Sequence, residues 1–562
     1  MKKQAKKVTL IAPPCIDWSM PLLACALLKA CLSSKYDVNV IDLNLEYFTY
    51  IWGKEKIANG KAGINKCIAE FNLKDSVKEL IKMIGMVTYH NLGNGEHVLM
   101  RKTHTIDKWY QSSDVNELLE KGSRTEDVIR HLIDGARENY EKSIAFCISI
   151  SVEDQIVPSF ILMKILRSYF PHTNIVIGGN IASRLSNQLI NSSLKSLFDF
   201  LVIGEGEESL LRLIQHIETD NKRLMVPQII TSNKSKIDYT HIKMPDFSWC
   251  DFSHYLSVKP ILPITINRKC DWARCEFCAI HSCWDDRHRI RDMDHIIRDI
   301  KYYVERLGIK YFRIVDENVS PFLLERFANL LLENKINIFY EAYVRFDKEF
   351  SNAYLAEKIY KSGCRQLFWG IESFDDEVLQ TIKKGTTTDI ISSNLSTFAR
   401  SGVLNYCFVL TGIPNIPIGS EKATMQYVAR NKDIHVVAIG SYVVDRLSPM
   451  HILPELHTKY CISLYEKGDL TTEIGFLYKG EDIGNSVRQR TQQYIEELYS
   501  QRGDYALSAM MDEETRFILC SVFGNDFAQK AHSMLEYDLQ RRIYDLATNR
   551  STEERVVRGG EQ

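Results

Sequence analysis

The stretch ILPITINRKCDWARCEFC, residues 261–278, runs from a short apolar segment straight into three cysteines at 270, 275 and 278. Residues 261–267 have the length and near-continuous apolarity of a parallel strand covered on both faces. Three thiols five and three residues apart can wrap one inorganic centre from a single loop. A structural zinc usually completes its tetrahedron with a second pair far along the chain. That pair is absent, although Cys283, His281 and His288 lie near enough in sequence to supply a fourth local ligand. Three cysteines with no obvious fourth suit a cubane iron–sulfur cluster whose remaining iron stays open to a small molecule. Against these stand a redox pair with a spectator thiol and the plain alternative of unrelated core cysteines. Context weighs against the last two: the thiols follow a first strand, at the carboxyl edge where parallel sheets place their chemistry.

The chain has 562 residues, more than one ordinary core accommodates, so about two to four domains are expected. Hydrophobic residues at 45% and charged residues at 25% are those of a globular protein. Seventy basic against 72 acidic side chains leave a formal charge of −2. Bulk electrostatics therefore give no reason to expect nucleic acid or an anionic membrane as partner. No apolar stretch approaches the roughly 18 residues that span a bilayer. The start, MKKQAKKVTLIAPPC, is basic and then apolar for only about five residues before Pro13, short of the ~7–15 of a secretory core. It is read as a lead-in to a buried first strand, and the chain as cytoplasmic. Outside 270–283 the cysteines are scattered singly, unlike a disulfide framework.

KKVTLIAPP, a helical run near 20–33 and YDVNVIDLN predict strand, helix, strand. After a polar, helically periodic stretch at 47–140 the rhythm resumes in SIAFCISIS, PSFILMKILRSYF, TNIVIGGN and FDFLVIGEGEESLLRLIQHI. Such alternation predicts an α/β fold: a doubly wound, Rossmann-like domain over 1–235 with a helical insertion. A linker is expected at 236–258. About six further strand–helix units, from ILPITIN to IHVVAIGSYVV, predict a partial (β/α) barrel over 259–455, followed by a mostly helical region at 456–562. Gly178 and Gly179 in GGN, and Gly204, Glu205 and Gly206 in GEGE, follow strands of the first sheet. Such turns let backbone approach a large planar or phosphate-bearing ligand, and a helix opens after the second.

CDWARCEFC, directly after a barrel's first strand, resembles the cluster loop of radical S-adenosylmethionine (SAM) enzymes in a C-x4-C-x2-C form. FRIVDENVSP, YEAYVRFD, GCRQLFWGIESFDDEVLQTIKKG and VLTGIPNIP recur in the order and spacing of that family's barrel, over about 259–450. The first domain, with IVIGGN and DFLVIGEGEESLL, is similar to the cobalamin-binding domain that precedes many of these barrels. The combination resembles the cobalamin-type radical SAM group, many of whose members modify peptides or other natural products, often as methyltransferases.

The resemblance implies Cys270, Cys275 and Cys278 as ligands of a 4Fe–4S cluster that passes one electron to SAM on its open iron. SAM then yields methionine and a 5′-deoxyadenosyl radical, while the protein supplies position and dryness. It implies Phe277 beside the adenine, Asp316 or Glu317 at the SAM amino group, Arg345 as a fork donor to its carboxylate and Glu372 at the ribose. Plainer readings exist: Asp316 and its neighbours as a helix cap, and Arg345 as a surface ion pair. An unpartnered carboxylate at Glu372, between strand and turn, would be costly. Cys283 and His281 fall outside the family's ligand set. Gly178, Gly179, Gly204, Glu205 and Gly206 would line the cobalamin site. Many such domains ligate cobalt through the histidine of D-x-H-x-x-G, which is missing here. The one His-x-x-Gly, at 90–93, has Thr88 in the aspartate's place and lies in the insertion. Cobalamin held without a lower histidine and a domain that has lost cobalamin both fit.

The expected function is cobalamin-dependent methyl transfer to an unactivated carbon of a peptide or other natural product. An external donor such as flavodoxin or ferredoxin would supply electrons. One alternative is a cobalamin-independent radical SAM enzyme (oxidative, epimerising or bond-forming) with an empty first domain. Another, from a different class, is a zinc-stabilised interaction protein.

Overall fold

Two parallel sheets of six strands each carry the architecture. The computed structural model describes the chain apart from residues 1–4, 86–88, 94–95, 100–103, 107–110, 220–227, 232–238, 281–287 and 560–562. His281, Cys283 and Thr88 thus lie outside the described residues.

Strands β1 (Lys7–Ala12) and β2 (Asp37–Asp42) start the first sheet. The insertion follows, with helices Leu43–Trp52, Lys54–Ala69, Leu73–Gly85, Ser112–Lys121 and Arg124–Gly135. Within it, β3 (Tyr89–Gly93), β4 (Glu96–Leu99) and β5 (His104–Ile106) form a small antiparallel sheet that helical periodicity does not reveal. Its sequence signal is the Asn-Gly pair at 94–95, a hairpin dipeptide. The first sheet resumes with β6 (Ser143–Ser149), β7 (Asn174–Gly178), β8 (Phe200–Ile203) and β9 (Gln228–Thr231), in the order β2-β1-β6-β7-β8-β9.

The strand order reverses direction between β1 and β6, the switch point of a doubly wound sheet. Strand alternation sends Val8, Leu10, Ala145, Cys147, Val176, Phe200 and Val202 to one face. There they meet Leu32 of helix Leu23–Leu32 and Leu210, Leu213, Ile214 and Ile217 of helix Gly206–Thr219. Ile11, Phe146, Ile148, Ile175, Ile177 and Leu201 point the other way into the main core, which includes helix Ile156–Tyr169. Burial on both faces is why these strands read as near-continuous apolar runs.

The second sheet contains β10 (Ile261–Ile264), then β13 (Tyr311–Ile314), β14 (Phe339–Val344), β15 (Cys364–Glu372), β16 (Leu404–Thr411) and β17 (Val436–Ser441). Between β10 and β13 a two-stranded ribbon, β11 (Asn267–Arg268) and β12 (Arg289–Ile290), brackets the cysteine loop. The six strands are hydrogen-bonded in chain order and all parallel, so they form a partial barrel. The crossover helices carry ordinary stop and start signals. Asp292, Ser320 and Thr387 side chains cap helix starts, and Gly308 and Gly402 end helices in the left-handed region.

Beyond the barrel, β18 (Val444–Asp445), β19 (Ile462–Glu466) and β20 (Glu473–Tyr478) form an antiparallel sheet in the order β18-β20-β19. Helices then run from Gly484 to Gly559. The linker has little regular structure yet is well anchored. Lys61 of the insertion donates to the carbonyl of Ser253 at 2.9 Å, the Leu256 amide donates to the carbonyl of Trp18 at 3.0 Å, and the Tyr255 hydroxyl donates to Asp42 at 2.7 Å. The segment therefore fastens the insertion and first sheet to the barrel. No described helix is long and apolar enough to cross a membrane.

The first glycine turn is built for its residues. Gly179 has φ +105°, and a Cβ there would come within 2.4 Å of the Ile150 carbonyl oxygen. At Gly178 the nearest atom to such a Cβ is 3.4 Å away, an ordinary contact. Gly179→Ala should therefore cost about 1–3 kcal/mol, and Gly178→Ala well under 1 kcal/mol. Equal losses in chemical denaturation of the two variants would show that the turn has no such constraint.

Candidate active site

The cysteine loop leaves the barrel at the carboxyl end of β10 and is shaped by side chains outside it. Lys269 and Ala273 both have positive φ, at 71° and 43°. Non-glycine residues hold that conformation only when their surroundings enforce it. The surroundings are identifiable. The Trp272 indole N–H donates to the Lys383 carbonyl at 2.9 Å, and its ring lies against Gly385, where a Cβ would come within 2.1 Å of it. The Arg345 guanidinium sits over the same ring, 4.4 Å from the centroid. Glu276, between the second and third cysteines, is almost fully buried, accepts from Lys459 at 2.7 Å and the Tyr460 hydroxyl at 2.7 Å, and forms an ion pair with Lys383 at 2.9 Å. Burial opposes its ionisation, but Lys459, Lys383 and Tyr460 outweigh it and hold the carboxyl below the usual range.

The three thiols are half-buried and interact electrostatically with one another. Burial pushes all three upward, Cys278 to about 12. Lys384 and Arg345 act in the opposite sense on Cys275. Cations beside thiols that must lose protons to bind metal suit a metal-ligating set. Among the described residues no three Cys, His, Asp or Glu side chains gather tightly enough for a single ion. Cys270, Cys275 and Cys278, within electrostatic reach of one another, are the residues that would surround a larger group.

Around the loop, the strand-end residues have specific partners. Asp316 is buried and accepts from Thr265 Oγ at 2.5 Å, the Ile266 amide at 2.7 Å and the Asn267 amide at 3.0 Å. Burial raises it to about 7, against those three donors. It thus ties the end of β13 to the segment that enters the cysteine loop. Glu317 is half-buried and lines a cavity described below. Arg345 donates to the Lys384 carbonyl at 2.9 Å and lies 3.5 Å from Asp347. Glu372, with φ 59°, accepts from Lys384 Nζ at 2.7 Å, so its carboxylate is not without a partner. Phe277 packs at the edge of an apolar cluster that includes Val378, Ile382, Ile413 and Tyr442, with Lys384 Nζ 5.8 Å from its ring.

Lys384 is the functional candidate that sequence reading missed. It is buried, paired with Glu372 and close to Cys275. Burial pulls its ammonium down, but Glu372 and Cys275 together raise it, so it stays charged. Its signal was present in IKKG, which looks in sequence like any solvated basic pair. Glu276 was missed for the same reason.

Both glycine turns lie on one cavity of about 260 Å³ at the carboxyl edge of the first sheet. Gly178, Gly179, Gly204, Glu205 and Gly206 line it from that sheet, and Asn267, Arg268, Asp316 and Glu317 line it from the barrel. Its deeper wall is apolar, with Leu10, Leu28, Val176, Val202 and Leu210. Glu205 is buried and accepts from Arg289 at 2.9 Å, with Arg268 3.0 Å from its other oxygen. Burial works against its charge, yet Arg289 and Arg268 prevail and hold the carboxyl low.

Residues 264–428 match the radical SAM superfamily model. A curated relative, the anaerobic magnesium-protoporphyrin IX monomethyl ester cyclase of a Synechocystis species, is 23% identical over 246 residues, 40% of this chain. That stretch is 47% of the relative, so the chain spans about half the length of the curated relative it matches. Among solved structures, the cobalamin-dependent SAM radical enzyme OxsB, with aqua-cobalamin and SAM bound, has a TM-score of 0.58 at 13% identity, covering 99% of this chain and 82% of that one. The radical SAM methyltransferase TsrM of Kitasatospora setae, with cobalamin and a [4Fe-4S] cluster, has a TM-score of 0.55 at 12% identity, covering 97% of this chain and all of that one. At such identities the likeness concerns the fold, and it extends over both sheets and the C-terminal region.

Glu276→Gln tests the anchoring of the loop. A carboxyl held below its unfolded value contributes stability that is present above the unfolded range and lost as pH falls through the folded one. Lys383 and Lys459 are partly solvent-screened, so the native chain should exceed the variant by only about 1–2 kcal/mol at pH 7. The difference should begin to shrink as pH falls below the ordinary glutamate value of about 4.3 and be lost once pH is below the folded value. A difference independent of pH in denaturant titrations would remove the charge from the explanation.

Proposed function

We propose that this chain, a radical SAM enzyme by its 264–428 domain, binds cobalamin where its two sheets meet and methylates an unactivated carbon of a peptide or other natural product. The observation that carries this reading is the shared cavity. One wall is the glycine-rich carboxyl edge of a doubly wound sheet; the other is the strand-end region from which the cysteine loop departs. A ligand on the first wall would therefore stand beside the cofactors of the second.

A radical SAM enzyme uses a 4Fe–4S cluster and SAM, which when bound supply a 5′-deoxyadenosyl radical, and cobalamin would add a methyl donor. In this chain Cys270, Cys275 and Cys278 would hold the cluster. Lys384, buried between Glu372 and Cys275, would keep the Glu372 carboxylate oriented and balance charge on the cysteine side. Arg345 and Trp272 would cover the loop and exclude water, a ring–guanidinium pair fixed by Gly385 and the Lys384 carbonyl. Glu317, on the cavity wall, would meet the SAM amino group, and Asp316, through its three donors, would hold the backbone beside it. Electrons would come from an external donor such as flavodoxin or ferredoxin.

None of the described residues lining the cavity is a histidine, so cobalamin held there by these residues would have no imidazole lower ligand. The enclosed volume, about 260 Å³, suits a heterocycle rather than a whole corrin, whose ring would need the open side of the crevice. The same volume favours one second reading, a radical SAM enzyme whose first domain binds a smaller ligand or none.

Two measurements follow. Anaerobic reconstitution should load about four irons and four sulfides, and replacing Cys270, Cys275 and Cys278 together with alanine should abolish both the cluster and reductant-dependent formation of 5′-deoxyadenosine. Cys283→Ala should leave both intact; retention of the cluster in the triple variant would refute the ligand set. Added hydroxocobalamin should be retained at about one equivalent with a spectrum lacking axial imidazole. SAM cleavage without any cobalamin uptake would exclude methyl transfer through cobalamin and leave the second reading.

A further inference from the structure

Arg268 and Arg289 are register partners across the β11–β12 ribbon, so they stand at the two ends of the loop that carries Cys270, Cys275 and Cys278. Both guanidiniums reach out of the barrel to the same carboxylate. Glu205 accepts from Arg289 Nη1 at 2.9 Å through one oxygen, while its other oxygen meets Arg289 Nη2 and, at 3.0 Å, Arg268 Nη1. Glu207, the second residue of helix Gly206–Thr219, takes the remaining face of Arg268. Tyr239 lies under both guanidiniums, 4.8 Å from Arg268 and 5.5 Å from Arg289. Its hydroxyl is 2.7 Å from Thr265 Oγ, which in turn donates to Asp316. Two cations and two anions thus meet, largely buried, between the cavity and the cysteine loop.

The arrangement goes beyond general adhesion of two domains for a geometric reason. A single carboxylate holds the entrance and the exit of one loop, and that carboxylate also lines the cavity. In a buried, charge-balanced set, moving one member leaves the others unpaired, so the set has few intermediate positions.

We propose that Glu205 is a positioning residue that clamps the two ends of the cysteine loop and thereby couples occupancy of the crevice to the iron–sulfur site. The coupling half of this proposal rests on the reading of the crevice as a cobalamin site; the clamp half does not. A ligand that contacts Glu205 must adjust its hold on Arg268 and Arg289, and by linkage the loop's state must alter ligand affinity by the same factor.

The test uses the full chain, anaerobically reconstituted, and reads the rate at which a ferrous chelator strips iron from the loaded protein, with circular dichroism as a check on folding. Glu205→Gln, which releases both guanidiniums, should accelerate iron loss about tenfold, Arg289→Gln should do so by no more than that, and the double variant should be no faster than Glu205→Gln alone, because the Arg289 contact is already lost there. Glu205→Asp, which keeps the charge but is too short to span both guanidiniums, should fall between and serves if a glutamine variant fails to fold. Unchanged rates, or effects that add in the double variant, would overturn the clamp.

Hydroxocobalamin is then added to the native chain and to Glu205→Gln. In the native protein its affinity should differ about tenfold between cluster-loaded and cluster-free forms, and in Glu205→Gln by less than about twofold. Equal dependence in both proteins would overturn the coupling. If hydroxocobalamin does not bind at all, the cobalamin reading and the coupling fall together, while non-additive iron loss would still establish the clamp.

Discussion

Buried carboxylates fix the cysteine loop at its entrance, its middle and its two ends. The loop carries Lys269 and Ala273 in left-handed conformations, which its surroundings must enforce. Asp316 takes hold of the backbone entering it, Glu276 fastens its middle to Lys383, Lys459 and Tyr460, and Glu205 joins its two ends. Each carboxylate is almost fully buried and each has several donors, the condition under which a buried charge is tolerated. Removing one partner of such a group costs about 3–5 kcal/mol when both are buried, less where a lysine is exposed. That asymmetry makes the loop's position discrete.

The second organising feature is that βα units deliver their loops to one edge of a parallel sheet. With two such sheets in the chain, two loop-rich edges exist, and here they meet. The first contributes glycine turns and an apolar recess, the second contributes thiols, carboxylates and the Lys384 ammonium. The linker is part of this joint. Through Tyr255 it reaches Asp42, and through Tyr239 it lies beneath the arginines that clasp Glu205. A segment with little secondary structure thus sets the relation between the two edges.

Residues expected to touch SAM divide once their partners are known. Asp316 is committed to the barrel's own backbone, Glu372 is paired with Lys384, and Arg345 is engaged with Trp272 and the Lys384 carbonyl, while Glu317 faces the cavity. Sequence placed them at strand ends correctly because strand ends are local. It could not rank them, since their partners come from separate segments, such as Thr265 for Asp316 and Trp272 for Arg345.

The sequence by itself determined the two parallel sheets, their order along the chain and the cysteine loop after β10, because hydrophobic periodicity and short-range spacing encode those features directly. It determined the glycine turns too, since a backbone at φ +105° pressed against the Ile150 carbonyl admits little else. Local pattern left the small sheets at 89–106 and 444–478 unseen, as their strands are short and their apolar alternation is weak. Only the tertiary structure decided that Glu276, Lys384, Arg268 and Arg289 matter. In sequence a charged residue looks solvated, and what makes these four different is burial among distant partners, within the barrel and the segment after it for Glu276 and Lys384 and across the two sheets for Arg268 and Arg289.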